Sequence, residues 1–121
     1  MTPLFSPDCV LVGWVKDNRY IFDTDLDWVA FIANGHVWSA GTCQWLGAVN
    51  GGCMLDTLGK VVVFSKDSPV SGTLKPLKPL KPLKPLKPLK PLRPLKPLKP
   101  LKPLKPLSGW SALTWLAWLN Q

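Results

Sequence analysis

The chain has 121 residues and a formal net charge of +8, and 33 of those residues, Leu74 to Pro106, are eleven copies of Leu-Lys-Pro with Arg93 standing in for one lysine. About seventy residues at the N-terminal end are left to build a core, room for one small domain. Glutamate is absent, His36 is the single histidine and seven aspartates are the only acidic side chains, and they offer no nucleophile-base pair and no metal-ligand spacing, so an enzyme has little support.

The charge is divided along the chain. The repeat carries eleven positive charges and no negative ones, whereas the remainder holds four basic residues (Lys16, Arg19, Lys60, Lys66) against seven Asp, a net of −3. Cys9, Cys43 and Cys53 form no C-x-x-C motif and cannot all pair within one chain, so they read as reduced, small apolar residues. The first fifteen residues lack a basic n-region and place Asp8 ahead of the apolar run, unlike a secretory signal. No stretch reaches the ~18 consecutive apolar residues of a membrane-spanning helix. A cytoplasmic setting is the default expectation, with export by a route lacking such a signal left open.

From Phe5 to Ser65 the sequence repeats itself about every 17 residues. The small residue of Leu11-Val12-Gly13-Trp14-Val15 recurs as Ala30 in Trp28-Val29-Ala30-Phe31-Ile32, as Gly47 in Trp45-Leu46-Gly47-Ala48-Val49 and as Val63 in Val61-Val62-Val63-Phe64-Ser65. A large apolar residue and a turn-forming cluster precede each run: Phe5 before Ser6-Pro7-Asp8, Phe22 before Asp23-Thr24-Asp25, Trp38 before Ser39-Ala40-Gly41, Leu55 before Asp56-Thr57-Leu58-Gly59. Each unit reads as strand, polar turn, strand. Between units stand Asp17-Asn18, Asn34-Gly35 and Asn50-Gly51-Gly52, residues that tolerate the positive φ of tight turns. The sequence thus predicts an all-β domain over residues 1–66 made of four β-hairpins in series. Strands converging on a common axis would explain the small residues, with Val12, Val29, Leu46 and Val62 closing the core.

Four short hairpins of this type, followed by a low-complexity arm and a Gly-Trp-Ser segment near the end, resemble the bacterial four-fold β-flower proteins. The likeness covers residues 1 to about 66 and, more loosely, the layout beyond. It implies an all-β head and carries no reaction with it. This chain departs from the pattern in lacking turn glycines in its first two hairpins, where Cys9 and Asp27 fall near that position.

Residues 67–73 form a polar linker rich in breakers. The repeat follows. Proline fixes φ near −65° and holds the preceding residue extended, so a proline at every third position forbids helix and favours polyproline II. At ~3.1 Å per residue the arm over 74–107 reads as a rod of roughly 100 Å, with each residue type forming its own lengthwise edge. One edge is Leu74, Leu77, Leu80, Leu83, Leu86, Leu89, Leu92, Leu95, Leu98, Leu101, Leu104 and Leu107, the candidate self-association surface. A second is Lys75, Lys78, Lys81, Lys84, Lys87, Lys90, Arg93, Lys96, Lys99, Lys102 and Lys105, the candidate polyanion contact. Residues 108–121 are an uncharged tail in which Ser111 is positioned to cap a short helix with Ala112, Trp115, Leu116 and Leu119 on one face. Trp118 falls partly off that face. Trp110, Trp115 and Trp118 lie outside the expected core and are assigned to docking on a neighbour.

Three other features have ordinary explanations. Asp23-Thr24-Asp25-Leu26-Asp27 alternates carboxylates as a calcium loop does, yet Trp28 stands where such a loop needs glycine and Asn34 where it needs a bidentate glutamate. It reads as a polar hairpin turn. His36 occupies a repeat position shared with Tyr20 and Cys53, which suits a strand residue better than a ligand. Trp14, Trp28, Trp38 and Trp45 suit hairpin packing. No cofactor, metal or small-molecule substrate is expected.

A leucine edge this long needs an equally long cover, since each fully buried leucine contributes ~1.5–3 kcal/mol. Other copies of the same arm supply one, and collagen winding is excluded because no triplet contains glycine. The expectation is a structural protein that associates with itself into oligomers or fibres. The alternative is peripheral binding of the cationic edge and the Trp tail to an anionic membrane or another polyanion. The arm has no interleaved aromatics for bases to stack on, so sequence-specific nucleic-acid recognition is disfavoured.

Overall fold

The computed structural model describes residues 2–65, 85–88 and 109–120. Eight strands follow one another: β1 (Thr2–Phe5), β2 (Leu11–Lys16), β3 (Tyr20–Asp23), β4 (Trp28–Ala33), β5 (His36–Ser39), β6 (Trp45–Asn50), β7 (Cys53–Leu55) and β8 (Val61–Ser65), with a short helix α1 (Trp115–Leu119) after them. Every strand is antiparallel to the next, and β1 pairs with β8 through Leu4 with Ser65 and Phe5 with Phe64. The four expected hairpins, β1-β2, β3-β4, β5-β6 and β7-β8, are therefore present, and they close into a barrel. Closure leaves no exposed sheet edge.

Two kinds of turn alternate around this barrel. At one end, Asp17-Asn18, Asn34-Gly35 and Gly51-Gly52 each put two successive residues at positive φ, the backbone of a tight turn whose twist matches that of the flanking strands. Carbonyls here carry the pairing of each hairpin one step past its strands, Arg19 accepting from the Ile32 N–H at 2.7 Å, Gly35 from Val49 at 2.8 Å and Gly52 from Ser65 at 3.1 Å. At the other end the loops are longer and each contains one left-handed residue, at Cys9, Leu26, Cys43 and Gly59. The second hairpin thus bends at Leu26, one residue before the Asp27 suggested by the sequence, and only the fourth uses glycine. A side-chain oxygen closes every one of these loops, with or without glycine: Asp23 Oδ1 accepts from Asp25 and Asp27 N–H, Asp56 Oδ1 from Leu58 and Lys60, Ser6 Oγ from Val10 and Ser39 Oγ from Thr42. Such local bonds let Ser and Asp specify turns.

Next to each loop the ladder slips by one residue, between Leu4 and Phe5, Ile21 and Phe22, Val37 and Trp38, and Met54 and Leu55. The residues left over on the opposing strands are Val12, Val29, Leu46 and Val62, four β-bulges in equivalent places. Each of these joins the same core cluster as Leu4, Val15, Ile21, Ala30, Val37, Met54 and Val63. Two consecutive residues of one strand therefore serve one interior, and the second of the pair has to be small. At Gly47 a Cβ would overlap the backbone of Leu55, and at Gly13 it would run into the Phe22 carbonyl. On the other face of the strands, apolar residues seal the seams between hairpins, as where Phe5 leans on Phe64 with ring centroids 6.0 Å apart. Trp14 and Trp38 are buried in this way while Trp28 and Trp45 are half-buried.

The tail departs from the expectation. Thr114, and not Ser111, caps α1, its Oγ1 accepting from the Ala117 N–H at 3.2 Å. The face it buries is centred on Trp118, which is 0% exposed, flanked by half-buried Trp115 and Leu119, whereas Leu116 is 68% exposed. The reason is the vacancy the barrel offers: four bulges with small neighbours leave one end open for an indole. The expected linker (67–73) and most of the polyproline II rod lie outside the described residues.

Candidate functional site

Of the arm, Pro85, Leu86, Lys87 and Pro88 are described. The two prolines, three residues apart, are half-buried; Leu86 is 90% exposed and Lys87 is exposed too. Leu86 and Lys87 thus both face outward. The other candidate leucines, Leu74 to Leu83 and Leu89 to Leu107, and the other candidate cations lie outside the described residues.

Pro85 and Leu86 border a groove of about 620 Å³ whose remaining lining is Arg19, Tyr20, Phe31, Ile32, Ala33 and Asn34. The second hairpin builds it. Tyr20 and Phe31 are directly opposite one another on β3 and β4, and buried Phe31 forms the floor. Trp28 meets Tyr20 edge-on, with centroids 6.1 Å apart, and lies 6.3 Å from Phe31. Arg19 lays its guanidinium 6.0 Å from the centre of the Tyr20 ring. These side chains stand on paired strands beside a tight turn and make one wall of the groove, while Pro85 and Leu86 make the other.

The three tail tryptophans, expected to meet a neighbouring copy, are turned to the chain's own barrel. Trp110 forms a parallel bridge to Val61 and leans on Phe64 at 6.1 Å. Trp115 covers Gly13, its ring lying 3.0 Å from where a Cβ would be. Trp118 donates its indole N–H to the Leu46 carbonyl at 2.8 Å. Leu46 is the extra residue of the third bulge, where the ladder is interrupted, so the irregularity that opens the barrel also supplies the acceptor a buried indole requires. Ser111 fastens the strand-like part of the tail: its hydroxyl donates to Asp56 Oδ2 at 2.6 Å and its N–H to the Val61 carbonyl at 2.8 Å. Asp56, 4% exposed, thereby closes its own loop and holds the tail.

A second cleft, of about 350 Å³, lies where α1 crosses the loops, between Trp115, Leu116, Leu119 and Asn120 on one side and Asp23, Trp28, Val29, Ser39, Gly41 and Thr42 on the other. The carboxylates of Asp23, Asp25 and Asp27 come within 4.8 Å of one another. One oxygen of Asp23 is already engaged by the turn's own N–H groups, as in the turn reading of the sequence. His36 Nδ1 accepts from Trp45 Nε1 at 3.2 Å, a strand-to-strand contact. Cys9 and Cys53 pack in one apolar cluster with Phe5, Leu55, Val61 and Phe64.

Four alike hairpins, each bent at the same bulge and closed around a tail that returns to them, match one family model, described as 4-fold beta flower protein, over residues 2–119. The chain belongs to this family. No curated protein and no solved structure matches it significantly. The β-flower match extends far past residue 66, where the sequence likeness was clearest, and takes in the tail that fills the barrel. Asp56, Ser111 and Thr114 are the β-flower residues whose structural parts the sequence hid. Asp56 aligns with Ser6, Asp23 and Ser39 as a turn residue, and only the arrival of Ser111 from 55 positions away gives it a second role.

Proposed function

We propose that the protein is structural rather than catalytic, and that it associates with copies of itself through the leucine edge of its arm. The observation that supports this is Leu86, 90% exposed beside prolines that are half-buried. An isolated exposed leucine is unremarkable; Leu86 is one of twelve that recur at every third residue of the sequence, a spacing that in an extended arm would line them up as an apolar strip, and such strips mark association sites. The tail tryptophans have no part in it, being occupied within the chain. Sedimentation over a wide range of protein concentration tests the proposal. Assembly should grow with concentration and disappear when Leu77, Leu80, Leu83 and Leu86 are replaced by serine. A strictly monomeric species at high concentration would overturn it.

The exposure of Lys87 next to Leu86 favours one second reading, attachment of the arm to an anionic membrane surface, where each basic residue contributes ~1 kcal/mol. Co-sedimentation with vesicles separates the two. Binding that requires anionic lipid and fades with salt supports the membrane, and assembly in plain buffer supports self-association. Among the described residues no helix is long and apolar enough to cross a membrane.

A further inference from the structure

The arm holds three chemically different edges, and only one of them is partly withdrawn from water where the arm is described: the prolines. Pro85 is half-buried and, together with the far more exposed Leu86, borders the groove whose other wall is Arg19, Tyr20, Phe31, Ile32, Ala33 and Asn34. Pro88, one triplet on, is half-buried as well, while Leu86 and Lys87 between them are exposed. That alternation is what a three-residue repeat gives when one edge rests on a surface.

The surface has matching chemistry. Aromatic-lined grooves hold proline-rich segments because the pyrrolidine ring lies flat on an aromatic side chain and the chain is extended before it binds, which keeps the ordering cost low. Here a half-buried Tyr20 ring is held between the Arg19 guanidinium on one side and Trp28 on another, with Phe31 beneath. Opposite signs of charge, −3 over the residues outside the repeat against eleven cations within it, favour bringing arm and head together at long range.

We propose that this groove is a binding site for the proline edge of a Leu-Lys-Pro triplet, and that its occupant is the protein's own arm at Pro85–Pro88. Seating by prolines keeps the leucine and lysine edges outward and available, which is a different matter from burying the leucines. Since all the triplets are alike apart from Arg93, the groove recognises a unit and not one position, so loss of a single proline leaves a neighbouring triplet to take its place. The inference stands whether or not the arms associate between chains.

The test uses the full chain at low concentration with a photoreactive residue in the groove, Tyr20→benzoylphenylalanine, and with the same residue at the exposed loop position Val10 as the control. Illumination followed by mass spectrometry of isotopically mixed chains identifies what each position touches and whether the link lies within one chain. Links from position 20 to arm residues within the same chain, about tenfold above those from position 10, are expected for a groove that seats the arm. Equal linking from both positions, links to head residues alone, or arm links only between different chains would each overturn it. Sedimentation of the same samples reads self-association separately, so the two proposals fail independently.

Discussion

Barrel and arm are built from equally apolar residues and treat them in opposite ways. Trp118 is 0% exposed in the barrel's core cluster, and Leu86, in the arm, is 90% exposed. The barrel manages its apolar residues by bending strands: four bulges bring Val12, Val29, Leu46 and Val62 into the interior beside Gly13, Ala30, Gly47 and Val63, and the remaining opening is filled from the far end of the chain. The arm has no means of doing this. Prolines at every third position do not suit ladders or helices, and Leu86, where the arm is described, meets water. Similar side-chain chemistry is thus enclosed in one region and exposed at Leu86 in the other, and backbone geometry decides which.

The sharpest way to break that contrast is to remove the plug. Trp118→Ala should destabilise the fold by ~3–5 kcal/mol, the range for large aromatic-to-alanine changes in cores, and shift the urea midpoint down to match. A change under ~0.5 kcal/mol, no more than an ordinary surface substitution, would mean that the barrel closes without its tail. Next, Gly47→Ala tests whether the bulges demand small residues. The added methyl meets the Leu55 backbone, which cannot rotate aside, so a loss toward the upper end of the ~1–3 kcal/mol seen for overpacking is expected by chemical denaturation. A smaller effect of opposite sign comes from Cys43, half-buried at φ 57° in the third loop. Cys43→Gly relieves a left-handed penalty of ~1–2 kcal/mol against glycine's added unfolded-state entropy, and the melting temperature should rise slightly. Smallest of all, Leu86→Ser should leave stability within ~0.5 kcal/mol, as for surface positions; a large loss in thermal melts would show that the arm's leucines belong to the fold.

Much of the barrel was legible because local chemistry dictates it. Asp17-Asn18 and Asn34-Gly35 specify two-residue turns by composition alone, and the spacing of Gly13, Ala30, Gly47 and Val63 announces equivalent strands. Leu26 was hidden, since leucine is a poor left-handed residue and adopts the conformation only because Asp23 captures two N–H groups of the loop. Closure of β1 on β8 was hidden as well, for pairing between residues some sixty positions apart leaves no local trace. The plug was misread for a related reason. A helix of five residues has too few turns for its own periodicity to choose a face, and the choice of Trp118 belongs to the cavity it enters and to the Leu46 carbonyl waiting there. The groove on the second hairpin had no sequence signature at all; it needed Tyr20 and Phe31 brought side by side.

Trp110 bridges Val61 on β8, the strand from which the chain departs at Ser65. The proline-rich insert is consequently tethered at both ends to one strand and has no free tip. A protease nick anywhere within it would yield two polypeptides that still migrate as one species, parting only in denaturant, since the tail peptide would be retained by Trp118 and Ser111 much as a cork is retained by its bottle.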